Sequence, residues 1–503
     1  MNKDSTAIPL KTILNMKLKG NQILLLISFI GTLFFLSCKD EFTTDSSYRL
    51  SYSTDSLKFD TIFTEELTPL SVIKIYNETD KDIQIESCDL LTPNNCFQIN
   101  LDGKSGTHFE NINIFSSDSL YLFVQFFSNE VGVNAPLLIE GSIIFSYNKN
   151  KERIVLTAYG QDVHRIKSDT IKGNVEWTND KPYIIYDTLR VDSTATLTIQ
   201  EGVTLYFHPR ATMQVDGRLI CNGTFDAPII FRGERKEKSY ENVNNQWGGI
   251  HFSGNSTNNQ LLFTEIKNGY YGIKIDSAEI DEKVPRLIIG NSLIQHVKRS
   301  VLDAHCANVY AYNSLFLRGE IRSNVVLQGG IYTFNHCTFA KTSFGQGEYG
   351  ITPYTVLLAD KSIDSTQGSI PLNAQFNNCI IFSLNKETSL KFECENPSEQ
   401  FQYKFNHCLF PANNIEEEFY SDEFFIESVW EENPQFVSLE KNPGYDFHLK
   451  ENSAARQKGD LEILKSYPEC LTDKDNITRQ NDTLPDLGAY QWHEEVEEES
   501  DNP

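Results

Sequence analysis

Between Ser51 and Val163 apolar and polar residues alternate with a period of two. The runs SLKFDTIF (Ser56–Phe63), SVIKIYN (Ser71–Asn77), SLYLFVQFF (Ser119–Phe127), SIIFSY (Ser142–Tyr147) and RIVLTAYGQ (Arg153–Gln161) are separated by Asn-, Asp- and Gly-bearing turns. Side chains in a strand point alternately to opposite faces, so this pattern predicts short strands with one buried side, the texture of an antiparallel β-sandwich. Further along, the pattern repeats at a fixed distance. Leu189 and Ala211 are 22 residues apart, as are Val191 and Met213, Leu197 and Leu219, Ile199 and Cys221, and Phe207 and Ile229. A repeat of this length with short strands and no helical periodicity predicts a β-solenoid. Each coil is too thin to bury its own inner face, and stacking supplies the core.

A second alignment rests on FNHCTF (Phe334–Phe339) and FNHCLF (Phe405–Phe410). Placed with related stretches, they give columns of small or apolar residues around a two-residue bend. These are Leu287, Val309, Tyr332, Ala374 and Tyr403; Ile289, Ala311, Phe334, Phe376 and Phe405; Ser292, Ser314, Cys337, Cys379 and Cys408; and Ile294, Phe316, Phe339, Ile381 and Phe410. The Ser/Cys column advances by 22, 23, 42 and 29 residues, and the 42 reads as two coils. Cys337 and Cys408 therefore share an interior column with serines, and His336 and His407 share a bend position with asparagines. Neighbouring strand residues face opposite ways, so the repeated Asn-His-Cys is architecture rather than a metal motif.

The runs Thr196–Phe207, Met213–Phe231 and Gln246–Phe252 resemble right-handed parallel β-helix proteins of the pectate-lyase-like kind. The fold class expected is all-β, a right-handed parallel β-helix preceded by a small Ig-like β-sandwich. The segment Asn433–Asp460, Arg479 and PDLGAYQ (Pro485–Gln491) resembles the closing segment of such β-helix lipoproteins, departing from it at Ala454-Ala455 and Leu487, and implies a cap over the solenoid end. At the other end, Lys11, Lys17 and Lys19 precede the apolar run Ile23–Leu36, which is short for a membrane span and fits a signal segment that could start at Met16. Ser37-Cys38 followed by Lys39-Asp40-Glu41 resembles a Bacteroidetes surface-lipoprotein signal, with Phe35 a departure three positions before the cysteine. The resemblance implies lipidation of Cys38, a membrane partner through that lipid, and an address on the outer membrane, exposed at the cell surface, with periplasm-facing attachment left open. It also implies that the Ig-like domain is a spacer. The expected domains are a signal peptide (1–37), a lipidated tether (38–50), the sandwich (51–163), the β-helix (164–435), the cap (436–493) and an acidic tail (494–503).

Charge narrows the partners. A net charge of −25 and an isoelectric point near 4.8 argue against nucleic acid, whose phosphates would be repelled. Lipidation of Cys38 would leave nine of the ten cysteines, and Cys88 and Cys96 are close enough to bridge a loop, although spacing does not establish a bond. No phosphate loop, zincin, nucleophile-elbow or paired CxxC signature occurs, and no cofactor is expected. The dipeptides Asp55-Ser56, Asp60-Thr61, Asp118-Ser119, Asp169-Thr170, Asp187-Thr188, Asp276-Ser277 and Asp482-Thr483, each followed by a small or aliphatic residue, resemble periplasmic O-glycosylation acceptors of the same bacteria; they are equally ordinary turn chemistry.

One constellation carries candidate chemistry. Stacking GIHF, GIKI and VLDA places His251, Lys274, Asp303 and Val326 in one outward row and Ser253, Asp276, His305 and Gln328 in the next, with Tyr270 and Tyr271 beside them. Neighbouring strands are about 4.8 Å apart, so these side chains would touch. The patch admits three readings. It is a ladder of charge that keeps a sheet face wet; or it binds a polysaccharide or other cell-surface ligand through stacking tyrosines and Asp/His hydrogen bonds; or, by resemblance to β-helix polysaccharide lyases, it is catalytic, with Lys274 as base and Asp276 and Asp303 as acid or calcium ligands. The non-enzymatic reading leads, with a polysaccharide lyase or glycoside hydrolase as its rival.

Overall fold

The alternating runs of the first part of the chain pair into two five-stranded sheets. The computed structural model describes residues 42–130, 132, 135–342, 347, 350–360, 370–394, 400–440, 444–480 and 484–494; the run Ile23–Leu36, Cys38, Asp482-Thr483 and the tail from Glu495 lie outside them. One sheet is ordered Ser51–Tyr52, Ser71–Asn77, Asp118–Phe126, Phe97–Leu101, Lys104–Gly106. The other is ordered Ser56–Phe63, Asn150–Gln161, Leu137–Tyr147, Ile83–Leu91, His108–Ile114. Ile73, Ile75, Leu122 and Val124 from the first sheet and Ile83, Ile85, Ile143 and Phe145 from the second are fully buried, one residue in two along each strand. Phe59 of the second sheet lies 6.1 and 6.3 Å from the rings of Phe97 and Phe126 of the first, so the two inner faces pack on one another. Cys88 and Cys96 are both buried and both free.

The second unit is a parallel β-helix, in agreement with the expected fold class. Each coil contributes to three faces: Thr188–Val191 to the first, Thr196–Gln200 to the second, Thr204–Phe207 to the third, and Thr212–Val215 to the first again. Among the described residues nine strands make the third face. The other two faces form one sheet of 17 strands, because Leu302–Tyr312 and Val325–Asn335 run from the first face to the second without a break. The repeat is less even than the sequence suggested. Leu197 pairs with Leu219 as expected, but Leu189 pairs with Met213 and Phe207 with Gly233, slipping the first-face pairs by two residues and the third-face pairs by four, an even number in each case. An even slip leaves each side chain on its own side of the sheet, which is why the apolar pattern survived it. The columns aligned on the bend pair directly, through Ile289, Ala311, Phe334, Phe376 and Phe405. The 42-residue step is therefore one long coil and not two: Asn335 pairs with Asn377 and Thr338 with Ile380, and Val356–Ala359 supplies the first face of that same coil, paired with Val325–Gln328.

The bend explains the repeated Asn-His. Asn291, Asn313, His336, Asn378 and His407 all take left-handed backbone, with φ between 47° and 53°. Asn and His tolerate this region far better than branched residues do. The next residue then turns inward, where its hydroxyl or thiol donates to the carbonyl two residues back. Ser292 does so to Gly290 at 2.8 Å, Ser314 to Tyr312 at 2.7 Å and Cys379 to Asn377 at 3.3 Å. The same atom receives an amide from the neighbouring coil: Thr264 N to Ser292 Oγ at 3.0 Å, Ser292 N to Ser314 Oγ at 3.1 Å and Cys337 N to Cys379 Sγ at 3.4 Å. The column is thus a ladder of bonds inside the apolar core. Beside it Phe334, Phe376, Phe405 and Phe425 stack with centroids 4.7–5.0 Å apart.

The C-terminal segment does not seal the solenoid end, contrary to the expectation from its resemblance. It lies along the third face and the bend edge. Phe447, Leu449, Leu487 and Ala489 form one buried cluster with Leu315, Leu317, Ala340, Ile380, Phe382 and Leu409. These outward positions are apolar because they are covered; two coils earlier the corresponding residues are Glu265 and Lys267. The last coils are closed instead by rings, Phe410 stacking on Trp430 at 4.5 Å and Phe392 on Phe419 at 4.8 Å. Bend asparagines act as sockets. Asn378 exchanges two bonds with the Asp460 backbone (2.7 and 3.0 Å), and the buried Arg479 donates to Asn313 Oδ1 at 3.1 Å.

Two outcomes follow from the bend. Cys337→Ser keeps a column donor of the type already present at Ser292 and Ser314, so thermal unfolding should move by about 1 kcal/mol or less. Asn313→Ala loses the left-handed preference and leaves Arg479 without its side-chain acceptor, and should cost about 2–4 kcal/mol. Hydrogen exchange should then show the C-terminal segment loosening before the coils do.

Candidate functional site on the first face

The first predicted row is paired in register: His251 pairs with Lys274, Lys274 with Asp303 and Asp303 with Val326, across the uneven 29-residue step. Of the second, His305 pairs with Gln328, while Ser253 and Asp276 follow the ends of their strands. Their strands alternate apolar-in and polar-out: Ile250, Phe252, Ile273, Ile275, Leu302 and Ala304 are buried, which drives His251, Lys274 and Asp303 outward. Asp276 ends its strand, its amide donating to Phe252 O at 2.9 Å.

The charged groups form two paired sets. Asp276 lies between His251 Nε2 (2.7 Å) and Lys274 Nζ (3.1 Å). Asp303 accepts from His305 Nε2 at 2.7 Å. Burial works to raise the Asp276 carboxyl, but His251 and Lys274 outweigh it and hold the group below the usual carboxylate range. The two sets differ in access. The side chains of His251, Lys274 and Asp276 are 27%, 34% and 40% exposed, against 14% and 12% for Asp303 and His305, so a ligand would meet the first set. Tyr270 and Tyr271 meet edge to face at 5.2 Å, and Arg299 sits 5.5 Å from the Tyr271 ring. Burial pushes the Tyr271 hydroxyl up, partly offset by Arg299.

Register extends the ladder to residues that sequence reasoning missed. Arg190 pairs with Gln214 and Gln214 with His251. Arg190 and Gln214 both bond Asp216, at 2.5 and 3.0 Å. Carrying the GIHF alignment back two coils would have found them. Arg286 has no such signal. It is buried, and its guanidinium donates to the carbonyls of Ser253 (2.7 Å), Asp276 (2.9 Å) and Ser256 (3.2 Å), fixing the turns that carry the patch. Both carboxylates already have cationic or imidazole partners, and among the described residues no group of three or more His, Cys, Asp or Glu is placed to hold a metal.

Arg286→Met would remove three hydrogen bonds from the carbonyls that shape these turns and should destabilise by about 3 kcal/mol. Lysine cannot reach all three, so Arg286→Lys should restore only part of the loss in a thermal melt.

A family model for a pectate-lyase-like β-helix domain matches residues 169–279. No curated protein matches the chain. Among solved structures, a family 123 glycoside hydrolase from Clostridium perfringens is 9% identical with a TM-score of 0.17, over 24% of this chain and only 30% of that one. The catalytic unit of a thermostable GH87 α-1,3-glucanase from Streptomyces thermodiastaticus strain HF3-3 is also 9% identical, with a TM-score of 0.27 over 68% of this chain and 74% of that one. At such distance neither enzyme informs the chemistry here. The chain carries a pectate-lyase-like β-helix domain, and the paired side chains of its first face are the candidate site.

Proposed function

We propose that the protein captures glycan on the first face of its β-helix without cleaving it, while held at the bacterial outer membrane by a lipid on Cys38, with the N-terminal sandwich as an Ig-like spacer. The observation that carries the binding reading is the pairing of every charged group in the patch. A glycosidase needs one carboxyl kept protonated and a second free to act as base or nucleophile. Asp276 is instead held ionised between His251 and Lys274, and Asp303 is shielded and bonded to His305. A lyase using Lys274 as base would need its amine released from Asp276. What the face offers is a fixed ladder of donors and acceptors from Arg190 to His305, repeating at the strand spacing, with tyrosine rings at its side.

A panel of soluble polysaccharides, scored together for binding and for new chain ends, tests this. Retention without new ends is expected, and Lys274→Ala or Asp276→Ala should weaken it by about tenfold, the loss of one charge-assisted hydrogen bond. New reducing or unsaturated ends that vanish in Lys274→Ala would replace this reading with a lyase or glycoside hydrolase. Binding that ignores both substitutions would return the ladder to a solvated face.

A further inference from the structure

The outer face of the first N-terminal sheet presents a different surface. Register places Val72 opposite Phe123 and Lys74 opposite Tyr121 on one pair of strands, and Gln98 opposite Gln125 and Asn100 opposite Phe123 on the next. All of these point away from the buried row of Ile73, Ile75, Leu122 and Val124. The rings of Tyr121 and Phe123 are neighbours on this face, 6.3 Å between centroids and 18° from parallel, so they make one aromatic platform of aligned rings. Lys74 Nζ sits 5.0 Å from the Tyr121 ring centre and braces that ring. Val72 and Tyr121 are exposed. The platform runs into a hollow of about 250 Å³ lined by Gln98, Asn100, Ser105, Thr107, Phe123 and Gln125. Two of the amides are already oriented, Asn100 Nδ2 donating to Ser105 Oγ at 3.1 Å and Gln125 Nε2 to Thr68 O at 2.9 Å.

We propose that this platform and hollow form a binding site for a neutral polysaccharide, separate from the charged ladder of the β-helix. The argument is one of complementarity. The chain carries a net charge of −25, yet no residue lining the hollow is charged, which is the match for a ligand without charge. Flat rings cover the C–H faces of pyranose units, and side-chain amides and hydroxyls serve as donors and acceptors to sugar hydroxyls at the rim. A protein partner would find few anchors here, since strong protein interfaces centre on enclosed pockets rather than a shallow platform with an amide border.

The test is affinity electrophoresis of the full chain through native gels containing dextran, xylan, mannan or galactan. At least one polymer should retard the parent protein. Tyr121→Ala/Phe123→Ala should reduce the affinity by about tenfold or more, from two lost stacking contacts. Tyr121 is exposed and Phe123 half-buried on the outer face, so the double variant should stay folded with only a small fall in melting temperature; Gln98→Ala/Asn100→Ala, which spares the platform, should also weaken retardation. In a Lys274→Ala background, which removes the ladder's own contribution, the loss caused by Tyr121→Ala/Phe123→Ala should persist. Equal retardation of parent and Tyr121→Ala/Phe123→Ala, or no retardation of the parent by any of the four polymers, overturns the proposal. Retardation lost only in Lys274→Ala would leave the β-helix reading standing and remove this one.

Discussion

A parallel solenoid depends on turning the same corner in every coil. Here the corner needs one residue in left-handed backbone followed by one small side chain that can bond inward. The series Asn291-Ser292, Asn313-Ser314, His336-Cys337, Asn378-Cys379 and His407-Cys408 satisfies both demands. The left-handed residue still donates its amide to the next coil, as Asn291 does to Tyr312 O and His336 to Asn377 O, but the residue after it leaves the ladder, and the polar groups there need partners in a core that offers no water. The inward hydroxyl or thiol supplies them, accepting an amide from the neighbouring coil while donating to a carbonyl of its own. The stacked phenylalanines, the register of the outer rows and the sockets for the C-terminal segment are all set by the alignment of that corner.

This constraint is also why so much of the fold could be read in the sequence. A small residue immediately after an Asn-rich bend is a strict demand, and it places Ile289, Ala311, Phe334, Phe376 and Phe405 in one column from the sequence alone. The other corners carry no such demand. Their loops vary in length, so the 22-residue offset slipped on the first and third faces, and the long coil between Cys337 and Cys379 read as two. The strands Ile83–Leu91 and His108–Ile114 were passed over because IESC and ENIN interrupt the alternation with polar residues.

The position of the C-terminal segment was legible in a place that resemblance overrode. Leu315, Phe316 and Leu317 are three apolar residues in a row, and a strand with solvent on one side has no use for that. At the candidate patch the register came through, because inward Ile, Phe and Ala fix which neighbours face out. The identity of each ion pair did not, since rotamers rather than register decide that Asp276 reaches both His251 and Lys274 while Asp303 turns to His305. Arg286 was invisible for a related reason: one arginine among many gives no hint that it will turn inward to bind three carbonyls.

The flank-lying C-terminal segment bears on how the protein is made. Its anchors are far away in the chain: Arg479 meets Asn313, Ala489 meets Thr338 and Asp460 meets Asn378. A chain emerging from its N-terminus can stack coils one upon another as they appear, since each needs only its predecessor. The strip of Leu315, Leu317, Ile380 and Phe382 must nonetheless wait for Phe447, Leu449, Leu487 and Ala489 before it is covered. Synthesis therefore passes through an intermediate with a sticky side, and a premature stop before Phe447 would leave coils that are folded but adhesive.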